Sequence, residues 1–204
     1  MSSSRPPVRH FSMIRSFHLA DFFTIANGFC GMTAVFQAMA FLSTHDRRRL
    51  DAAALLVPLA LLFDVLDGRV ARWRHQASPL GRELDSLADV ISFGVAPAAI
   101  AFAAGLHTLL DAIALTFFAL CGLSRLARYN ITAEALSVET GTVKYFEGTP
   151  IPTSVVPLGI LMLAFHRGTL YPVRLLGFDF HLVTLVFVLS GMLMISKTLR
   201  IPKP

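Results

Sequence analysis

The chain has 204 residues, of which 54% are hydrophobic and only 15% charged, and its mean hydropathy is +0.63. A composition this apolar excludes an ordinary soluble domain and places the chain in a bilayer. The net charge of +5 would suit nucleic acid in a soluble protein; here it fits cationic loops against anionic lipid headgroups, and no nucleic-acid partner is expected.

Taken in order, residues 1–20 form a basic juxtamembrane arm with apolar residues between arginines and histidines, suited to the membrane surface. No apolar run followed by a small-residue cleavage site marks it as a signal peptide. A spanning helix needs about 20 mostly apolar residues. The first candidate is Phe22 to Leu42, with Asp21 at the N-cap position. A turn is predicted over Thr44 to Asp51. The second run, Ala52 to Leu66, is expected to continue as a polar extension to Ser78-Pro79. The third covers Arg82 to Ala104, with a kink expected at Pro97. The fourth covers Thr108 to Tyr129, and Asn130 to Pro150 is predicted to be polar and irregular. The fifth covers Thr153 to Phe165 and the sixth Phe180 to Ser196. Cys30 and Cys121 lie in apolar runs and read as small buried hydrophobes. The expected fold is thus an all-α integral membrane protein with six transmembrane helices, residues 1–204 forming a single domain.

Six spans put both termini on one side. Arg47, Arg48, Arg49, Arg167 and Arg174 fall on the opposite side, and the remaining lysines and arginines fall with the termini. The excess places both termini and the aspartate stretch in the cytoplasm, and the expected location is the cell (inner, cytoplasmic) membrane. The Arg47–Arg49 run is the discordant feature.

The stretch from Asp64 to Asp89 carries the chemistry. It holds Asp64, Asp67, Asp85 and Asp89 at the junction of the second and third apolar runs. Ionisable groups at membrane depth are functional candidates by default. On a helix, Asp64, Asp67, Gly68, Ala71 and Arg72 share one face, and Gly81, Asp85, Ala88, Asp89 and Ser92 share another. Opposed, these faces bring the carboxylates together beside small residues that leave access. An all-oxygen ligand set selects hard cations such as Mg²⁺, Mn²⁺ or Ca²⁺, and the lack of His or Cys at ligand spacing argues against zinc. Four carboxylates suffice for two divalent ions, the arrangement used for in-line displacement at phosphorus. A network of surface ion pairs would be the bland alternative. It does not account for small residues alternating with the acids.

These residues spell Asp-x-x-Asp-Gly-x-x-Ala-Arg, eight residues, then Gly-x-x-x-Asp-x-x-x-Asp. The pattern resembles the signature of the CDP-alcohol phosphotransferase family at every defined position. The family's six-helix membrane architecture agrees with the count of spans. The resemblance implies that an alcohol hydroxyl attacks the β-phosphorus of a CDP-linked substrate and that CMP leaves. It implies that Asp64, Asp67, Asp85 and Asp89 hold two Mg²⁺ or Mn²⁺ ions, with Asp89 also the general base. It further implies that Gly68, Ala71, Arg72 and Gly81 line the CDP site with Asp64, and that Ser78 and Asn27 contribute to it. A homodimer, membrane lipids around it and a cytoplasmic active site are implied by the same likeness.

Further stretches are similar to the phosphatidylserine synthase branch of that family: TIANGFCG from Thr24, LDSLADVISFGVAPA from Leu84, SRLARYN from Ser124 and FEGTPIP from Phe146. Thr149 departs from the more usual leucine in the last of these. CDP-diacylglycerol and L-serine are the implied substrates. Arg125 and Arg128, at i, i+3, could grip the serine carboxylate, with Asn130 and Glu147 meeting its other polar groups. Acceptors bearing a phosphate, such as glycerol 3-phosphate or inositol phosphate, would favour a denser basic pocket. A divalent-cation transporter would place its acids near the bilayer midplane instead.

Overall fold

Long apolar runs become helices because every backbone polar group is then satisfied inside the segment. The computed structural model describes residues 19–74, 79–139, 145–175, 177–196 and 200–202. Its helices are α1 (Leu19–Thr44), α2 (Arg47–Arg74), α3 (Pro79–Asp89), α4 (Ala96–Ala104), α5 (Leu109–Glu139), α6 (Val155–His166) and α7 (Thr184–Ile195). A π-helical turn, Val90–Val95, joins α3 to α4 in one rod, and a 3-10 turn, Ile151–Ser154, leads into α6. The six apolar runs therefore become six helical rods among the described residues. The basic arm before residue 19 and Ser78 lie outside them.

Several expectations change. The predicted turn over Thr44 to Asp51 shrinks to His45-Asp46, because Asp46 Oδ1 accepts from the Arg48 amide (3.1 Å) and starts α2 at Arg47. Asp21 lies inside the first turn of α1 rather than at its cap. Asn130 to Pro150 is not irregular throughout: α5 continues to Glu139, since no Gly or Pro interrupts residues 130–139. The sixth rod starts at Thr184 rather than Phe180, because Phe178–His181 is a strand. The chain is mostly helical rather than purely α. Strand β1 (Tyr145–Glu147) pairs antiparallel with β4 (Arg200–Pro202), and β2 (Pro172–Leu175) pairs antiparallel with β3 (Phe178–His181). The irregularity expected at Pro97 lies one turn earlier. Proline has no N–H for the carbonyl four residues back, and the wider π turn before it absorbs the missing bond.

Three stretches, Asp21–Thr44, Leu80–Ala104 and Leu109–Ile131, are long and apolar enough to cross a membrane. Helices α6 and α7 have 12 residues each. At 1.5 Å per residue each reaches about 18 Å, short of a hydrocarbon core of about 30 Å. The surface is inverted relative to a soluble protein. Phe22, Phe29 and Phe36 on α1, Leu109 and Ile113 on α5, and Leu185 and Leu189 on α7 are all exposed. Contiguous exposed apolar faces of this kind mark a membrane contact.

Inside, small residues let helices approach. Ala34, Ala38, Ala53 and Ala60 are buried between α1 and α2. Gly31 of α1 lies so close to the π turn that a Cβ there would fall 2.6 Å from Ser92 Cα. Phe93, Phe118 and Phe187 fill the centre, the last two edge to face with centroids 5.3 Å apart.

One end of the bundle is closed by a buried polar pin. Thr108 and Asp111 cap α5 reciprocally: the Asp111 amide donates to Thr108 Oγ1 and the Thr108 amide to Asp111 Oδ2, each at 3.3 Å. The fully buried Asp111 carboxylate also accepts from the Thr184 hydroxyl and the His181 amide (3.1 Å), and pairs with His181 Nδ1 at 2.6 Å. These bonds fasten β3 and the start of α7 to α5. Replacing Asp111 by leucine strands the donors of His181 and Thr184 in the interior. Each buried unsatisfied group costs about 1–3 kcal/mol. Asp111→Leu is therefore expected to lower the unfolding temperature of the detergent-solubilised protein clearly. Arg125 lies 14 residues along α5, about 21 Å away, so ligand affinities of the folded fraction should be unchanged.

Candidate phosphotransfer site

The opposite end of the bundle gathers the acids. They sit on the C-terminal part of α2 and on α3, at the spacing that puts each pair on one helix face. One carboxylate oxygen each from Asp64, Asp67 and Asp85 lies within 4.8 Å of the others. Asp67 and Asp89 are buried, and Asp64 and Asp85 are half-buried. Asp89, one turn beyond Asp85, stands outside the group of three. Like charges this close repel, and burial sharpens the repulsion. Asp85 Oδ1 is buried without a hydrogen-bond partner. An oxygen-only cluster with an orphaned carboxylate oxygen fits a hard divalent cation, and Asp64, Asp67 and Asp85 are the residues that would hold it.

Helix α1 supplies the donors. Thr24 Oγ1 donates to Asp67 Oδ2 at 3.0 Å, and Asn27 Nδ2 donates to Asp89 Oδ1 at 2.9 Å. Asn27 has no exposed surface. Its backbone carbonyl accepts from Ser92 Oγ at 2.9 Å. The sequence reading assigned Asn27 to the CDP site; the structure places its side chain on Asp89. Thr24 was not singled out as a site residue, and Ser92 was read only as part of the face that carries Asp85 and Asp89. A polar i, i+3 pair in an otherwise apolar helix was the signal that could have found Thr24.

The small residues leave room. A Cβ added to Gly68 would meet nothing within 4 Å among the described residues, so packing within them does not require glycine there. Gly81 lies half-buried in the first turn of α3. Ala71 and Arg72 belong to α2, but their side chains lie outside the described part, as does Ser78 altogether.

The third wall comes from α5, the 3-10 turn and the end of α7. Arg125 is 7% exposed, feels the charge of Asp89, and stacks its guanidinium over the Tyr129 ring at 5.7 Å. Its Nε is buried without an acceptor. Arg128 differs: it donates from Nη1 to the Ile195 carbonyl at 3.3 Å, which fixes it to the end of α7, while its Nη2 has no partner. Asn130 Nδ2 donates to Ser86 Oγ at 2.9 Å, tying α5 to α3. Glu147 lies in β1, its side chain outside the described part. Gly148 has φ +76 and packs against the Met194 carbonyl, and the Thr149 amide donates to Leu193 O at 3.2 Å. Side chains would be strained in that backbone conformation. Thr149 Oγ1 and Ser154 Oγ are buried and unpartnered in the same seam.

Comparison with known proteins decides the family. The model of the family described as CDP-alcohol phosphatidyltransferase matches residues 17–195. This chain belongs to the CDP-alcohol phosphatidyltransferase family. A Saccharomyces cerevisiae member named CDP-diacylglycerol–serine O-phosphatidyltransferase is 45% identical over 204 residues, covering 96% of this chain and 74% of its own. A Bacillus subtilis protein of the same name is 32% identical, covering 70% of this chain and 74% of its own. One from Helicobacter pylori is 36% identical, covering 87% and 69%. The matched stretch includes Asp64, Asp67, Asp85, Asp89, Arg125 and Arg128.

The acidic cluster makes a direct prediction. Mn²⁺ titration of the purified protein, followed by electron paramagnetic resonance, should show binding in the wild type. Asp64→Asn, Asp67→Asn and Asp85→Asn should each weaken it by at least about tenfold, since each removes a charged ligand. Asp111→Asn, at the other end of the bundle, should leave it unchanged.

Proposed function

We propose that this chain is a phosphatidylserine synthase, transferring the phosphatidyl group of CDP-diacylglycerol to L-serine with release of CMP. The observation that carries the reading is the convergence of Asp64, Asp67 and Asp85 beside Asp89 and Arg125 in an otherwise apolar bundle. The names of the relatives support serine as the acceptor.

Asp64, Asp67 and Asp85 hold divalent ions, Mg²⁺ or Mn²⁺. When bound, such ions neutralise the diphosphate and stabilise charge on the departing CMP. The protein does the rest. The open space beside Gly68 admits the nucleotide diphosphate between α2 and α3. Asp89 takes the proton of the serine hydroxyl as that oxygen attacks the β-phosphorus. Arg125 presents a buried guanidinium with a free Nε to the serine carboxylate. Arg128 braces that wall against α7. A phosphorylated acceptor would bring a second dianion beside Arg125 and Arg128, of which Arg128 is already engaged by the Ile195 carbonyl.

The reading includes a membrane topology. Six spans with both termini in the cytoplasm, the arrangement that the distribution of lysines and arginines favours, would put the aspartates at the cytoplasmic side. The acids lie near helix ends rather than at mid-helix, which disfavours a cation-transport role.

CMP release from CDP-diacylglycerol, with serine, glycerol 3-phosphate and inositol phosphate offered separately, tests the reading. Serine alone should support release; release only with a phosphorylated acceptor overturns the assignment. Asp89→Asn should lower kcat by at least about 10³-fold with CDP-diacylglycerol binding retained, the size expected for removing a general base. Arg125→Ala should raise the KM for serine at least about tenfold, as one charge-assisted bond is lost. The KM for CDP-diacylglycerol should change little. Equal changes in both would leave Arg125 a structural residue.

A further inference from the structure

Helix α1 contributes no acid to the cluster, yet it touches both acid-bearing helices through two side chains one turn apart. Thr24 donates to Asp67 on α2, and Asn27 donates to Asp89 on α3. Asn27 is held from both sides. Its carbonyl is bonded to Ser92 Oγ inside the π turn that starts right after Asp89. Gly31, one turn along α1, is the only residue type that permits this approach, because a Cβ there would clash with Ser92. Asn27, Asp89 and Ser92 therefore form one rigid unit between α1 and the third rod. π turns re-aim side chains at functional sites, and this one follows directly on the acid whose aim matters.

We propose that Asn27 and Thr24 are positioning residues with separate tasks, and that Asn27 selects which oxygen of Asp89 acts. By occupying Asp89 Oδ1, the Asn27 amide leaves Oδ2 as the oxygen free to take the acceptor's proton. It also keeps that carboxylate from swinging into the group of three. Thr24 does the corresponding work for the cation: its hydroxyl fixes Asp67 in the orientation that meets Asp64 and Asp85. The inference rests on the phosphotransfer reading above and deepens it. It departs from the sequence expectation that Asn27 binds the diphosphate. A fully buried amide bonded to a carboxylate is not placed to meet an anion.

Two near-isosteric variants separate the tasks in the full-length protein. Asn27→Leu keeps the volume and removes the donor. It should lower kcat about 10- to 100-fold, the size of one charge-assisted hydrogen bond, with KM for serine and CDP-diacylglycerol within about threefold of wild type. Its Mn²⁺ affinity and its CDP-diacylglycerol affinity without serine should be unchanged. Thr24→Val should do the reverse. Its Mn²⁺ affinity should fall about tenfold or more, with turnover recovered at excess metal. If Asn27→Leu loses CDP-diacylglycerol affinity in step with kcat, Asn27 is a substrate ligand and the proposal is wrong. Wild-type kcat in Asn27→Leu, or unchanged Mn²⁺ affinity in Thr24→Val, also overturns it. Should Asn27→Leu not fold, Ser92→Ala loosens Asn27 without touching its side chain. A smaller fall in kcat at unchanged KM is then expected, and no fall contradicts the proposal. A wild type that releases no CMP with any acceptor would sink the phosphotransfer reading as well; an active wild type with an active Asn27→Leu sinks the positioning role alone.

Discussion

The mutual repulsion of the clustered carboxylates is the constraint on which this structure turns. Asp64, Asp67 and Asp85 converge at a site where Asp67 is buried and the other two are half-buried, and Asp89 is buried one turn away. Charges held in that setting are costly unless they are paired or hydrogen-bonded. The fold offers only partial compensation. Thr24 and Asn27 supply one donor each, and Arg125 supplies a nearby positive charge. Asp85 keeps an orphaned oxygen. The remainder is left for a cation, and the stored repulsion is what gives the site affinity for one.

The rest of the bundle serves that arrangement. Buried alanines and Gly31 let α1 come close enough to both acid-bearing helices for short side chains to reach the carboxylates. The π turn fixes the rotation of Asp89 relative to α4. At the far end, Asp111 gathers Thr108, His181 and Thr184 into a fully bonded pin, so α5 and α7 are locked together where no chemistry takes place. The contrast between the two buried aspartate sites is instructive. Asp111 has more donors than it has oxygens, whereas among the described residues the cluster of three leaves an Asp85 oxygen buried without one. A satisfied buried carboxylate holds structure; an under-satisfied set waits for a ligand.

Much of this was legible in the sequence. The spacing of Asp64, Asp67, Asp85 and Asp89 needed only helix geometry to be read as two facing stripes. The apolar runs located all six rods, because a long hydrophobic segment with no breaker has few alternatives to a helix. What was missed depended mostly on tertiary contacts. The helical continuation through Asn130–Glu139 was read with the polar stretch that follows it, although Ile131, Ala135 and Val138 keep a helical spacing. The β2–β3 hairpin was hidden in a stretch apolar enough to pass for helix, and its anchoring bond to Asp111 spans 70 residues. Asn27 was read as a CDP-site residue, and its bond to Asp89 had no signal in the sequence, since nothing local shows that a helix 62 residues upstream faces Asp89. The two arginines looked equivalent at i, i+3; only the Ile195 carbonyl separates a brace from a candidate ligand.

The most direct test of the account follows the attacking oxygen. Serine carrying ¹⁸O in its hydroxyl group is incubated with CDP-diacylglycerol, Mn²⁺ and the purified protein, and the products are weighed by mass spectrometry. Attack by that hydroxyl on the β-phosphorus predicts that the label is retained in the phosphodiester of the new lipid and absent from CMP. A labelled serine ester of CMP with phosphatidic acid as the other product, the outcome of attack on the α-phosphorus, would contradict it.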